Sequence, residues 1–169
     1  MIYKSKIIDG VYIIKSSIYT DKRGIIWTSF DNKELHKKIN YKLNFNHDKF
    51  SISKKNVLRG IHFDTKTWKL ISCIKGAIYQ VLTDCRLKSK TYKKTQYFLL
   101  KEYENIQLLA PPGIGNAFLV QSDYAIYHYK LSYKGKYFDA NNQKTIKWND
   151  KNYNIKWPTK NPILSNRDN

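Results

Sequence analysis

His62 stands in the run Val57-Leu58-Arg59-Gly60-Ile61-His62-Phe63, an imidazole set into apolar, strand-like sequence. A lone histidine in such a place is commonly a hydrogen-bonded core residue. Its neighbours change the reading, because Arg59 precedes it by three positions and Lys69 follows by seven. Cations are seldom crowded into a core without an anion to meet them. They also favour the neutral imidazole, the form that serves as a general base. Tyr129 is the second candidate. In Ile126-Tyr127-His128-Tyr129-Lys130-Leu131 the period of two puts Tyr127, Tyr129 and Leu131 on one face, with His128 and Lys130 on the other. From that pattern alone Tyr129 is a core aromatic with its hydroxyl at the rim. The four histidines, His36, His47, His62 and His128, form no HxH pair, and no Glu follows His62 at ligand spacing. Ligand arithmetic therefore argues against a metal centre.

The elements that must carry these residues are short strands. Val11 to Ile14, Ile25 to Phe30, Val57 to Phe63, Thr95 to Leu100, Ile106 to Ala110, Ala117 to Val120 and Ala125 to Leu131 read as strands. Lys69 to Asp84 reads as a strand pair broken at Lys75-Gly76. Asp21-Lys22-Arg23-Gly24 and Pro111-Pro112-Gly113 are turn signals. Helix is confined to one or two short pieces, the clearest at Asn32 to Ile39. Repeated short strands predict an antiparallel all-β sandwich or barrel over residues 1–169, one domain in extent. The tail from Trp157, with Pro158 and Pro162, is expected to lie across the body as coil.

Composition sets the outer bounds. The 169 residues carry 31 Lys+Arg against 13 Asp+Glu, a formal charge of +18. Lysines are scattered along the whole chain, no nucleic-acid-binding module appears, and arginine is confined to Arg23, Arg59, Arg86 and Arg167. The charge therefore reads as lysine-rich composition that can attract a phosphorylated small molecule, not as a nucleic-acid footprint. No apolar run approaches the ~18–20 residues of a membrane span. The N-terminus lacks a signal-peptide pattern, and Cys73 and Cys85 are too few for a disulfide scaffold. A cytoplasmic protein with two reduced thiols is expected.

Eight segments then occur in order. They are Val57-Leu58-Arg59-Gly60-Ile61-His62, Lys69-Leu70-Ile71, Thr83-Asp84-Cys85-Arg86, Pro111-Pro112-Gly113, Tyr129-Lys130, Lys147-Trp148-Asn149-Asp150, Ile155-Lys156-Trp157-Pro158 and Ile163-Leu164-Ser165-Asn166-Arg167-Asp168. Together, from about Asp21 to Asp168, they resemble the dTDP-4-dehydrorhamnose 3,5-epimerase family of cupin-fold nucleotide-sugar epimerases. More narrowly, His47-Asp48-Lys49-Phe50, Cys73, Gln80, Gly115-Asn116 and Tyr127 to Tyr133 are similar to epimerases of GDP-4-keto-heptoses in bacterial capsule pathways.

The resemblance implies a jelly-roll fold, a homodimer formed through the N-terminal strands, and no metal or cofactor. A ketone at C4 of the sugar acidifies the hydrogens at C3 and C5. A base removes one to give an enolate, and an acid returns a proton to the opposite face. The resemblance makes His62 the base, Asp168 its orienting partner, Lys69 the cation beside O4, and Tyr129 the acid. Arg23 and Arg59 match positions that meet the substrate and its phosphates, and Tyr137 matches an aromatic beyond the acid. Departures from the hexose enzymes fall at Thr28, His47, Lys49, Gln80 and Asn116, all expected in or near the pocket. They move the expected substrate toward a GDP-4-keto-heptose, inverted at C3 and optionally C5. The alternatives are a dTDP-4-keto-6-deoxyhexose 3,5-epimerase, a 3,4-ketoisomerase, and a non-catalytic sugar-nucleotide-binding cupin. Ketoisomerases usually carry a second histidine soon after the first, and here Phe63-Asp64 follows His62.

Overall fold

The computed structural model describes residues 1–169. In chain order the elements are β1 (Ile2–Lys4), β2 (Tyr12–Lys15), β3 (Ile18–Asp21), β4 (Gly24–Trp27), α1 (Asn32–Lys38), β5 (His47–Lys54), β6 (Leu58–Phe63), β7 (Trp68–Lys75), β8 (Ala77–Asp84), β9 (Thr95–Lys101), β10 (Ile106–Ala110), β11 (Ile114–Val120), β12 (Tyr124–Ser132) and β13 (Lys144–Thr145). A six-stranded sheet, β1-β2-β10-β7-β12-β5, and a five-stranded sheet, β13-β6-β11-β8-β9, are antiparallel throughout. Neighbours in each sheet are mostly distant in sequence, as in a jelly roll. Ile13, Ile71, Leu108 and Tyr127 of the first sheet pack with Ile78, Leu82, Leu100 and Phe118 of the second to form the main core. No helix is long and apolar enough to cross a membrane.

The expected turn at Lys75-Gly76 falls between β7 and β8, where Gly76 takes φ 77°. A side chain there would collide with the Tyr124 carbonyl, so glycine is required. The expected helix is α1. Asp31 caps it, its carboxylate accepting from the backbone N–H groups of Lys33 and Glu34. Leu35 and Ile39 pack with Tyr12, Ile14, Leu70 and Leu109 against the outer face of the six-stranded sheet.

Two features depart from the pattern-based reading. The segment His47–Lys54 is a full strand, β5, paired along its length with β12. The hairpin β3–β4 forms a separate two-stranded sheet, exposed along both strands.

A third feature places the chemistry. Strict alternation would put Arg59 and His62, three apart, on opposite faces of β6. Across from them the register of β11 shifts, Asn116 facing His62 and Phe118 facing Arg59, so three steps on one strand match two on the other. This bulge turns both side chains to the interior, while Ile61 joins Val81 and Ala117 on the outer side. Gly60 lies within it at φ 124°, and a Cβ there would collide with the Ala117 side chain.

The tail runs as a strap over the outside of the five-stranded sheet. Ile155 and Trp157 cover Ile61, Val81 and Ala117. The Tyr79 hydroxyl donates to the Lys156 carbonyl, and the Lys156 N–H donates to the Tyr97 hydroxyl, both at 3.1 Å. Further on, the Leu58 N–H donates to the Ile163 carbonyl at 3.0 Å, and the Ile163 N–H to the Asn56 carbonyl at 2.8 Å. The strap thus delivers Ser165, Arg167 and Asp168 to the mouth of the sandwich.

Candidate active site

A cleft of about 400 Å³ opens between the two sheets. The five-stranded sheet contributes Arg59, His62, Asn116 and Phe118, and the six-stranded sheet contributes Lys49, Ser51, Tyr127 and Tyr129. The β12–β13 loop adds Tyr137 and Gln143, and the strap adds Ser165, Arg167 and Asp168.

The His62 Nε2 lies 2.5 Å from an Asp168 carboxylate oxygen, and the Ser165 hydroxyl donates to the other oxygen at 2.9 Å. Asp168 is only 3% exposed. Burial pushes its carboxyl upward, but the hydrogen bond and charge of His62, with the Ser165 hydroxyl and Gly60 N–H, outweigh that and hold it below the ordinary value. The carboxylate therefore stays ionised, fixes the ring, and leaves the other imidazole nitrogen to act on a bound molecule. This is the orientation logic of a base with a buried acidic partner.

Tyr129 reaches the same cleft from the opposite sheet. Phe118 stacks on Tyr127 with ring centroids 4.2 Å apart, and Tyr127 meets Tyr129 at 5.4 Å, so an aromatic wall sets the Tyr129 ring. Burial raises the Tyr129 phenol, partly countered by Arg59 and Arg167. It is thus a protonated donor at neutral pH. A ligand lying between the sheets has the imidazole on one side and the phenol on the other.

Lys69 is 5% exposed and does not line the cleft wall. No ion pair holds its ammonium. Burial lowers its pKa to about 8, with the charge of Asp64 as the chief opposing influence. Asp64 is itself buried, one carboxylate oxygen accepting from the Lys66 and Thr67 N–H groups and the other unpartnered. A desolvated cation lacking a partner is placed to gain most from negative charge developing on a ligand.

The other expected site residues divide. Arg59, Lys49, Asn116 and Tyr137 line the cleft, and burial pushes the Tyr137 phenol up to about 12. His47 lies at its margin, with Nδ1 3.1 Å from the Tyr133 hydroxyl and its ring edge-on to Tyr137. Gln80 is fully buried behind Asn116 and touches no cleft surface, because its side chain is engaged by backbone carbonyls. Arg23 is on the exposed hairpin, paired with Asp21 at 2.6 Å, and does not line the cleft. Thr28 lines a different cavity, of about 330 Å³, with Ile2, Phe30 and Glu34. Both lie off the cleft because β3–β4 pairs with neither main sheet. No group of three or more His, Cys, Asp or Glu side chains gathers as a metal site.

Arg167 and Tyr127 are site residues that the pattern-based reading did not single out. Arginine scarcity was an available signal for the first. In a chain that uses lysine for general charge, two of its four arginines, Arg59 and Arg167, converge on one cleft. The Arg167 Nε donates to the Thr145 hydroxyl at 3.0 Å, which fixes its guanidinium. A planar fork of this kind suits a phosphate oxygen pair.

A β-sandwich cleft that sets an imidazole–carboxylate pair and a phenol on facing sheets, with two arginines in its lining, holds the groups that acid–base chemistry on an anionic ligand requires. The family model described as dTDP-4-dehydrorhamnose 3,5-epimerase matches residues 5–169, and the chain belongs to that family of nucleotide-sugar epimerases, which are isomerases acting on carbohydrates. It is 35% identical over 165 residues to dTDP-4-dehydrorhamnose 3,5-epimerase of Escherichia coli (strain K12), covering 95% of this chain and 88% of that protein. The crystal structure of dTDP-6-deoxy-D-glucose-3,5-epimerase from Legionella pneumophila Philadelphia 1, in complex with dTDP-4-keto-L-rhamnose, superposes with TM-score 0.91. Identity is 31%, and the match covers 99% of this chain and 89% of that one. The dTDP-4-dehydrorhamnose 3,5-epimerase from Bacillus anthracis str. Ames, with TDP and PPi bound, gives TM-score 0.91 at 30% identity, covering 99% and 95%. These relatives bear the names of dTDP-sugar enzymes. They speak for the nucleotide-sugar class and not for the GDP-heptose expected from the narrower resemblance.

Proposed function

We propose that the protein inverts C3 and C5 of a nucleotide-linked 4-keto sugar, with a dTDP-4-keto-6-deoxyhexose as the first substrate to test. The observation that carries this reading is the convergence of the His62–Asp168 pair and Tyr129 on one cleft from opposite sheets. His62 takes the proton alpha to the ketone, and the bonding pair of that C–H bond is left to form the enolate. Lys69 meets the charge growing on O4. Tyr129 returns a proton from the other face, and the centre is inverted. Arg59, Arg167 and Lys49 gather the diphosphate, and Tyr137 and His47 border the sugar. The solved relatives holding dTDP-4-keto-L-rhamnose, or TDP and PPi, support this assignment.

A GDP-4-keto-heptose is the second reading. It is favoured by one feature of the cleft, the neutral Asn116 backed by Gln80 where the hexose enzymes usually have His and Asp. Incubation with each 4-keto nucleotide sugar in heavy water, followed by NMR, tests both. Deuterium at C3 and C5 is expected. Uptake at C3 alone makes it a C3 epimerase, and carbonyl migration makes it a ketoisomerase. No uptake from either sugar, with binding retained, leaves a sugar-nucleotide-binding cupin.

A homodimer completes the reading, in the cytoplasm where activated sugars are made. Phe50 and Ile52 are 63% and 70% exposed on the outer face of the six-stranded sheet, and Ile74 on β7 is exposed too. The hairpin that carries Arg23 projects apolar Tyr19 and Ile26 into solvent. A second copy covering this face would bury both and bring Arg23 to the partner's phosphates. Sedimentation should give a dimer, Ile52→Asp a monomer, and Arg23→Ala a raised KM; a monomeric wild type overturns the assembly.

A further inference from the structure

Gln80, behind the cleft wall, interlocks with two side chains that line it, Asn116 and Tyr127. Gln80 is fully buried on β8. Its Nε2 faces three acceptors: the Ala117 carbonyl at 2.8 Å, the Val81 carbonyl at 3.0 Å and the Asn116 Oδ1 at 2.8 Å. Its Oε1 is buried without a partner. That stranded oxygen shows what dictates the orientation. Turning the amide over would set Oε1 against two backbone carbonyls, acceptor against acceptor, so Nε2 must face them and therefore must also face Asn116. The two N–H groups of Gln80 are shared among these three acceptors, and an Asn116 Nδ2 in place of its Oδ1 would set donor against donor. On its Oδ1 Asn116 takes the Gln80 donor and the Tyr127 hydroxyl at 3.1 Å. Its Nδ2 has no protein partner, is not among the buried unpartnered atoms, and belongs to a residue that lines the cleft. Asn116 is the cross-strand partner of His62, so this N–H pair emerges beside the base.

We propose that Gln80 is a positioning residue that locks Asn116 as a hydrogen-bond donor beside His62, and that Asn116 thereby selects substrates presenting a hydroxyl oxygen on the sugar ring at that point. Two backbone carbonyls impose the polarity on Gln80, and Gln80 passes it to the cleft. The donor is neutral and does not titrate, so its selection is independent of pH. Because it binds a hydroxyl present before and during proton abstraction, its contribution falls on KM more than on kcat.

The substrate half of this proposal rests on the epimerase reading, and the test keeps the two apart. In ¹⁵N spectra of the free protein, the Gln80 side-chain amide should exchange slowly, and Gln80→Met should shift or broaden the Asn116 amide pair. An unmoved Asn116 pair overturns the positioning role whatever the protein catalyses. In deuterium-exchange kinetics, Gln80→Met and Asn116→Ala should each raise KM about tenfold with kcat within about threefold. The double variant should lose no more than Asn116→Ala alone. Additive losses, or a fall confined to kcat, overturn it. If Gln80→Met does not fold, Asn116→Asp decides. Its second oxygen presents an acceptor in place of the donor, so KM should rise at least as far as in Asn116→Ala; an unchanged KM overturns donor selection. Wild-type protein inert toward every 4-keto sugar refutes the epimerase reading and, with it, the substrate half.

Discussion

The two sides of the cleft are built in different ways. On the six-stranded side the cleft residues Tyr129 and Lys49, and the buried Lys69, come from adjacent strands, β12, β5 and β7, whose pairing alone sets their positions. On the five-stranded side His62 needs a bulge to face inward and a carboxylate from a tail more than a hundred residues later. The Tyr129 side is therefore as rigid as its sheet. The His62 side is as secure as the strap that crosses its back. Detachment of the strap would cost the imidazole its orientation while leaving Tyr129 and Lys69 in place.

His62→Asn tests the His62 side most severely. Exchange at both carbons should fall by about 10³-fold or more, because no other group on that side can take the proton. Full exchange in this variant would remove the asymmetry altogether.

Lys69→Met comes next and separates function from stability. With the role proposed for Lys69, loss of its cation should lower kcat by about 10²-fold. Stability should move the other way. The folded-state pKa of Lys69 lies near 8, below its ordinary 10.5. The cost of burying its charge is thus fully present below pH 8 and fades as pH rises toward 10.5. That cost is on the order of 3 kcal/mol. Thermal melts should show Lys69→Met more stable than wild type at pH 7, with the gap narrowing above pH 8. A destabilised variant would mean that Lys69 is already paired.

Tyr129→Phe sharpens the contrast between the sides. Proton removal at His62 does not need the phenol, so deuterium exchange should persist within about tenfold while inversion at one centre at least is impaired. Equal loss of both would mean that acid and base act as one unit.

Ser165→Ala has the smallest expected effect, about two- to fivefold in kcat/KM, from loss of one hydrogen bond to the Asp168 carboxylate. The depressed Asp168 pKa adds stability above its unfolded value near ~3.9, lost as pH falls through the folded value. Without the serine donor the folded value should rise, and acid unfolding should begin at higher pH. An unchanged acid midpoint would show that His62 alone holds the carboxylate.

Much of the architecture was legible because its pattern is local. β6 to β12 lie where apolar runs and turn residues put them, and Asp31 marks the start of α1. β5 was not legible, for a reason tied to function. Its apolar Phe50 and Ile52 face outward, while Lys49 and Ser51 face the cleft, so the usual inside-apolar pattern is reversed. The site shows the same division. His62 stood out by its cationic neighbours, whereas Tyr129 and Asp168 were singled out only by the family resemblance. Gln80 was placed at the substrate, and only the fold sets it one layer behind Asn116.

The sequence by itself determined an all-β chain that carries His62, Lys69 and Tyr129 on separate strands, since side-chain alternation and turn chemistry are properties of neighbouring residues. Tertiary structure alone decided that His62 and Arg59 share a face, that the tail brings Asp168 to the imidazole, and that Lys69 is buried without a counterion. Those outcomes depend on strand register and on contacts between residues far apart in the chain, which no local pattern encodes.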